Sequence, residues 1–228
     1  LFYRSQTSIE QAHIVAGFIF ELSKVQLPHV RTRVLGQLQN VDLELAQQVA
    51  DGLGVDLPEK IAPAKTPVDM PESDALSMLK QNCPVAGRTL GLLVSDGADA
   101  KQVQSLHQAI QQAGARIKVI AEKVGGVTLS DGTLLPADEK IDGAPSVLFD
   151  AVAVLVGPEQ ARHLAQQKAV QDFISDAYAH HKAIAYSAEA QALLQQPFML
   201  SDDFVFLFVH PQHIVDKLAS RYWKRKVS

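Results

Sequence analysis

Apolar positions along the chain change period twice. From Thr7 to Gly54 they recur every three to four residues, the helical spacing. Ile14, Val15, Phe18, Ile19 and Leu22 form one stripe, and Thr7 or Ser8 stands where an N-cap belongs. Glu10, three residues after Thr7, completes a capping box. Pro28, favoured in a first helical turn, opens a second helix carrying Val30, Val34, Leu35 and Leu38. A third follows Asp42, carries Leu45, Ala46 and Val49, and stops near Gly52 and Gly54. Residues 1–54 thus read as short helices with wide apolar faces. Such helices make a poor core of their own and look built to pack on something larger.

Between residues 55 and 86 the periodicity disappears. Pro58, Pro63, Pro67, Pro71 and Pro84 recur with few large apolar residues between them, which predicts an extended linker. A short helix at ESDALSMLK interrupts it. From residue 87 to 228 continuous apolar runs alternate with helical patterns. RTLGLLVS (88–95), RIKVIA (116–121), AVAVLVG (151–157), KAIAYS (182–187) and FVFLFV (204–209) read as strands. Helices are expected over 99–114, from Pro158 to about His180, and over 211–226. Lys224, Arg225 and Lys226 would sit at the negative end of the last helix dipole. GGVTLSDGTLLP (125–136) reads as a hairpin with a type I′ turn at Asp131-Gly132. The fold class is α/β: a flavodoxin-like parallel sheet domain, preceded by a short all-α segment and a Pro-rich linker.

Composition narrows the function. The chain has 228 residues, enough for one large or two small domains, and the net charge of −4 gives no reason to expect a nucleic-acid partner. Cys83 is the one cysteine, which excludes a disulfide framework and a four-cysteine zinc site. No apolar run is long enough to span a bilayer, so no membrane association is expected. The chain opens LFYRSQTSIE without a Met and reads as a piece of a longer protein.

Parallel sheets bind ligands at the carboxyl ends of their strands. The first such loop, SDGADAK, holds only Gly97 where a dinucleotide fingerprint needs three spaced glycines, and lacks the Gly-Lys-Ser/Thr of a P-loop. Ser95 alone is too little for a flavin phosphate loop. The second is KAIAYSAEAQALL (182–194), where an apolar run meets Ser187 and a helical pattern follows, as in a nucleophile elbow. Ala188 stands where some elbow enzymes carry a histidine, and His180 and His181 lie before the strand. The simpler reading makes Ser187 the N-cap of the helix starting at Ala188. His210 and His213 share a helical face without a completing ligand, so no metal site is expected. Tyr3 as a haem ligand lacks its arginine-rich context and reads as packing, as do Tyr178, Tyr186 and Trp223.

Two stretches carry a family resemblance. LFYRSQTSIEQAHIV and VADGLG (49–54) resemble the last helices of the haem catalase core. GRTLGLLVSDGAD followed by GGVTLSDGTLLPADEKIDGAPSVLFDAVAVLVG resembles the extra C-terminal domain of large-subunit catalases, the hydroperoxidase II type. The resemblance implies a full-length haem catalase that turns hydrogen peroxide into water and oxygen. It implies as partner the remainder of the subunit, in a cytoplasmic homo-tetramer. The family's catalytic His, Asn, Tyr and Arg lie upstream and map onto no residue here. This segment is then expected to bind no cofactor, to stabilise the oligomer and to shape access to the haem.

The C-terminal domain in turn resembles the amidotransferase-like superfamily. Its reactive cysteine falls on Ser187, and its carboxylate falls on Ala100 with Asp99 adjacent. Both positions depart from the pattern, which implies an elbow geometry without its chemistry. Two other functions fit the sequence: a holdase-like interaction module, and a small hydrolase or deglycase at Ser187.

Overall fold

The three helices form where their caps place them. A computed structural model describes residues 1–81, 83–194, 197–223 and 225. After a short helix α1 (Phe2–Ser5) come α2 (Ser8–Ser23), α3 (Pro28–Leu38) and α4 (Leu43–Leu53). Thr7 and Glu10 make the reciprocal capping box on α2. Pro28 sits in the first turn of α3, Asp42 caps α4 through the Leu45 N–H, and Gly54 ends α4 at φ +66°. Val15, Leu22, Leu35, Leu45 and Val49 form the buried centre, with Ile14, Phe18, Ile19 and Val34 packed partly against it.

The proline-rich stretch is extended, but it is no free spacer. The chain divides into two compact units, Leu1–Asn82 and Cys83–Ser228, and most of the stretch belongs to the first. Asn40 and Gln39 donate side-chain hydrogen bonds to the Ile61 and Pro58 carbonyls. Arg4 pairs with Asp69, and Ser5 Oγ accepts from the Ser73 N–H. The helix expected at ESDALSMLK is a single 3-10 turn, Asp74–Leu76. Glu10 is the centre of this docking. Its carboxylate accepts from Thr7, from Ser77 Oγ and from the Met78 and Leu79 N–H groups.

In the second unit six parallel strands stand in the order β5-β2-β1-β6-β7-β8. They are β1 (Thr89–Val94), β2 (Arg116–Ala121), β5 (Glu139–Lys140), β6 (Ala151–Leu155), β7 (Ile184–Tyr186) and β8 (Val205–Leu207). The antiparallel pair β3 (Val127–Thr128) and β4 (Leu134–Leu135) is a separate hairpin. Helices α5 (Ala100–Gln112), α6 (Ala161–Leu164), α7 (Lys168–Ala179) and α8 (Pro211–Lys217) cover the sheet. The period-2 alternation of β6 divides the core. Val152 and Val154 join Phe173 and Ile174 of α7, whereas Ala153 and Leu155 join Leu106 and Ile110 of α5 and Ile214 of α8. Burial on both faces is why these strands are apolar throughout.

Within the second unit the structure departs from the sequence pattern at the sheet edge, at the hairpin turn and in the last helix. β5, two residues paired to the end of β2, was too short to show as an apolar run. The hairpin turn is not type I′, which requires a positive φ at both central residues. Only Gly132 has one, at φ +84°. The Gly132 N–H bonds to Leu129 and the Leu129 N–H to Thr133, a three-residue loop with glycine in the left-handed position. The last helix ends at Lys217 instead of continuing to residue 226. Beyond it the Tyr222 N–H bonds to the His181 carbonyl, and Arg225 is buried against Asp202 at 2.6 Å. The dipole role given to Arg225 is therefore replaced by an ion pair, while Lys224 and Lys226 lie outside the described residues.

That turn leaves buried charge at the amino edge of the sheet. Lys182 is 3% exposed and donates to the Ser146 carbonyl at 2.6 Å. Arg88 and Arg221 flank Asp150, whose carboxylate also accepts from the Thr89 N–H. Burial, aided by Arg221, pushes the Lys182 ammonium from the ordinary 10.5 down to about 8.

Two predictions follow from these polar centres. Burial of Glu10 raises its pKa, but the bonds from Thr7, Ser77 and Leu79 outweigh that and hold it at about 2. The stabilisation it gives is complete above the unfolded carboxyl value and is lost as pH falls towards 2. Glu10→Ala is expected to cost about 1 kcal/mol, as a lost cap does. Tryptic cleavage after Lys80 should then rise several-fold. For Lys182, the folded pKa lies below the unfolded one, so the unfolded chain binds more protons between them and stability rises with pH across that window. Urea midpoints of wild type and Lys182→Met are expected to shift in the wild type's favour from about pH 8 to about pH 10. A pH-independent difference would contradict a desolvated ammonium.

Candidate functional site

In this sheet the strand order reverses between β1 and β6, so a ligand crevice is expected at their carboxyl ends. Backbone fills it. A Cβ on Gly157, just after β6, would lie 2.0 Å from the Asp96 carbonyl oxygen, so only glycine lets the two loops meet. The Gly157 N–H donates to Ser95 Oγ at 2.9 Å, and Ser95 is buried. The β3–β4 hairpin seals the other side. Gly97 N–H bonds to the Thr128 carbonyl, Thr128 N–H to the Asp96 carboxylate at 2.7 Å, and Ser130 N–H to the Ala98 carbonyl. A recess of about 40 Å³ opens beside it, lined by Ser95, Asp96, Glu122, Lys123 and Gly126 among others. That is room for a water molecule, not for a cofactor.

Ser187 does stand between β7 and a helical turn, Ala188–Leu193, but that turn is 3-10. Its backbone, φ −72° and ψ 159°, is ordinary extended chain and not the strained turn of a nucleophile elbow. The hydroxyl makes no cap bond to its own helix, which corrects the N-cap reading. It accepts instead from the Val156 N–H of the neighbouring strand at 3.4 Å, in a position 1% exposed. Ala100 opens α5 and is buried, its N–H held by Ser130 Oγ. Asp99 turns its carboxylate onto the Lys101 and Gln102 N–H groups as the N-cap of α5. Among the described residues the Asp99 carboxylate is thus engaged by the first turn of α5 and the Ser187 hydroxyl by the Val156 N–H, and no hydrogen bond joins the two.

The histidines are spread apart. His180 closes the end of α7 against the Asp176 carbonyl, and His181, at φ +58°, contacts the Tyr222 carbonyl. Both precede β7, whereas Ser187 follows it. His213 stacks on Phe206 with ring centroids 3.9 Å apart. Among the described residues no three His, Cys, Asp or Glu converge as metal ligands. Tyr3 is packed into the helical core, and burial pushes its phenol pKa up, aided by Asp42 and Glu44. Tyr178 and Tyr186 are buried in the sheet unit, and Trp223 lies against His181.

Sequence reasoning weighed Ser95 only as a phosphate-loop residue and missed its pairing with Gly157, which closes the crevice. The signal was faint: one glycine directly after an apolar strand, read as its last residue. It also missed Lys182, whose burial depends on the returning C-terminal segment.

The sequence of the chain carries a second kind of information. Residues 86–218 match the family described as the C-terminal domain found in long catalases, and residues 1–53 match catalase-related immune-responsive. The chain belongs to the long catalases. Among its long-catalase relatives, Catalase C of Rhizobium meliloti is 40% identical over 198 residues, 86% of this chain and 28% of that protein. Catalase HPII of Pseudomonas aeruginosa is 33% identical over 234 residues, all of this chain and 33% of that protein. Catalase-2 of Bacillus subtilis is 30% identical over 236 residues, again 33% of its length. The chain thus spans about a third of the long catalases it matches. Among the described residues no helix is long and apolar enough to cross a membrane.

The closed crevice makes a ranked prediction for this long-catalase domain. Ser95→Ala strands the Gly157 N–H in the interior and is expected to cost about 1–3 kcal/mol. Ser187→Ala removes only a 3.4 Å bond and is expected to cost about 1 kcal/mol or less. Gly157→Ala should exceed both, because backbone and not a side chain must move. Denaturant titration followed by the single tryptophan, Trp223, reads all three. Esterase turnover of the chain that falls on Ser187→Ala substitution would instead restore the nucleophile reading.

Proposed function

We propose that this chain is the C-terminal portion of a haem catalase that converts two molecules of hydrogen peroxide into two waters and one dioxygen, and that its own role is structural. The observation that carries this reading is the crevice at the carboxyl ends of β1 and β6. In a parallel sheet that is where a ligand belongs, and here it is filled by Gly157 packed on the Asp96 carbonyl and by buried Ser95. The printed names of the relatives, all catalases, support this activity for the whole protein.

Haem supplies the redox chemistry of such an enzyme. The residues of this chain do not fit its ligation. Tyr3, the tyrosine in the catalase-like start, is packed into the helical core, and among the described residues no three His, Cys, Asp or Glu converge. No step of the reaction is therefore assigned to a residue here. The haem and the catalytic groups belong to the rest of the subunit. This chain contributes packing surface, adds stability to a cytoplasmic homo-tetramer, and narrows the approach to the haem. Exposed apolar side chains of the second unit come in small groups, Val147 with Leu148 and Leu207 with Val209, and groups of two lend little to a holdase role.

The test compares the full-length protein, the 228-residue chain and a full-length version lacking residues 83–228. The full-length protein is expected to show a haem absorbance band and rapid peroxide consumption. The 228-residue chain should show neither. The truncated enzyme should keep turnover at low temperature but dissociate at lower denaturant. Peroxide consumption by the 228-residue chain itself would overturn the structural role.

A further inference from the structure

β8 is the last strand in the sheet order, so one of its edges has no strand beside it. Its register on β7 fixes which groups face that edge. The Ile184 N–H bonds to the Phe204 carbonyl and the Phe208 N–H to the Tyr186 carbonyl, so the even-numbered residues aim their backbone groups at β7. Val205 and Leu207, between them, aim theirs outward, and Val209 is next in that row. The Val205 N–H is taken by the Asp202 carbonyl. Among the described residues nothing pairs with the Val205 carbonyl, with the Leu207 N–H and carbonyl, or with the Val209 N–H. The side chains are open too: Leu207 is 44% exposed and Val209 78%. From Phe204 to Val209 there is no charge and no proline. Those are the residues that ordinarily blunt a free edge against pairing.

We propose that this edge takes β8 of a second copy, antiparallel and two-fold about Leu207, so that the two sheets join into one. The pairing concerns where copies meet and does not rest on the catalase reading. The free groups themselves select the occupant. Two facing Leu207 residues exchange both of their bonds, N–H to carbonyl each way, as a hydrogen-bonded antiparallel pair does. On either side of them the Val209 N–H of one copy meets the Val205 carbonyl of the other. The Val205 N–H, already held by Asp202, is not needed for this. The free donors and acceptors thus complement their own two-fold image, which is what an isologous contact requires. Leu207 also stands beside Leu207 on one face of the joined sheet, so the exposed apolar side chains cover each other. The proline-rich stretch of the chain is a poorer occupant. It is tied to its own helices, and its prolines lack the donors a strand needs.

The test uses the 228-residue chain with Cys83→Ser, so that Leu207→Cys carries its single cysteine. Residues opposite each other in such a pair stand about 5.5 Å apart at Cα, inside the disulfide range of about 4.4–6.8 Å. Mild oxidation is expected to give a disulfide-linked dimer. Val124→Cys in the same background, an exposed position away from β8, should give none. Leu207→Lys sets two ammonium groups against each other and should weaken the association measured by sedimentation equilibrium at least about ten-fold. Its circular dichroism should match the parent chain, because the side chain it replaces is not buried. In the full-length protein, photoreactive benzoylphenylalanine at Val209, in mixed isotopically light and heavy copies, should link to residues 204–209 of another copy. A parent chain that dimerises only above about 1 mM, or a dimer that Leu207→Lys leaves intact, would overturn the pairing. So would the absence of the Leu207→Cys disulfide, or Val209 cross-links to any other stretch.

Discussion

The α/β unit depends on one close approach, the α-carbon of Gly157 against the carbonyl oxygen of Asp96. Parallel strands β1 and β6 lie side by side with Leu90 opposite Ala151 and Val94 opposite Leu155, so their following loops emerge together. In most sheets of this kind the loops diverge there and leave a crevice. Here the absence of one Cβ lets them touch, and Ser95 satisfies the Gly157 N–H that contact with the neighbouring loop removes from water. With the loops joined, the β3–β4 hairpin closes over them through the Asp96 carboxylate and the Thr128 and Ala98 carbonyls.

This closure explains why Ser187 is inert in the proposed reading. Its hydroxyl accepts from the Val156 N–H, one residue before Gly157. The position keeps a small polar side chain because a backbone donor needs an acceptor there. Asp99, the nearest carboxylate to the acid position, is likewise spent on the first turn of α5. Groups that serve catalysis in an open site become fasteners once the site is shut.

The helical unit is held by a comparable device with the opposite outcome. Glu10 fastens residues 77–79 onto α2, and Asn40 fastens residue 61 onto α3, so the proline-rich stretch lies along the helices. These bonds close one side of the unit. On the other side the groove walled by Phe2, Ile14, Phe18 and Val41 remains open. A unit closed on one side and open on the other is what a fragment of a larger core looks like.

The sequence by itself determined the long helices, five of the six strands of the sheet and the α/β class. Those depend on local spacing and caps: the stripe Ile14–Leu22, the Thr7–Glu10 box, Asp42, and the unbroken apolar runs of β1, β2 and β6. The resemblance to a catalytic pattern also led to the expectation that Ser187 and Ala100 depart from it. Only the tertiary structure decided what those positions do. Gly157 and Asp96 are 61 residues apart, as are Thr89 and Asp150, whose contact helps build the buried charge cluster. Lys182 and Arg225 read as a strand flank and a helix end until the chain turns back after Lys217 and encloses them. Neither the closed crevice nor the buried ammonium has a local signature, because each comes from removing backbone or charge from water by segments distant in the chain.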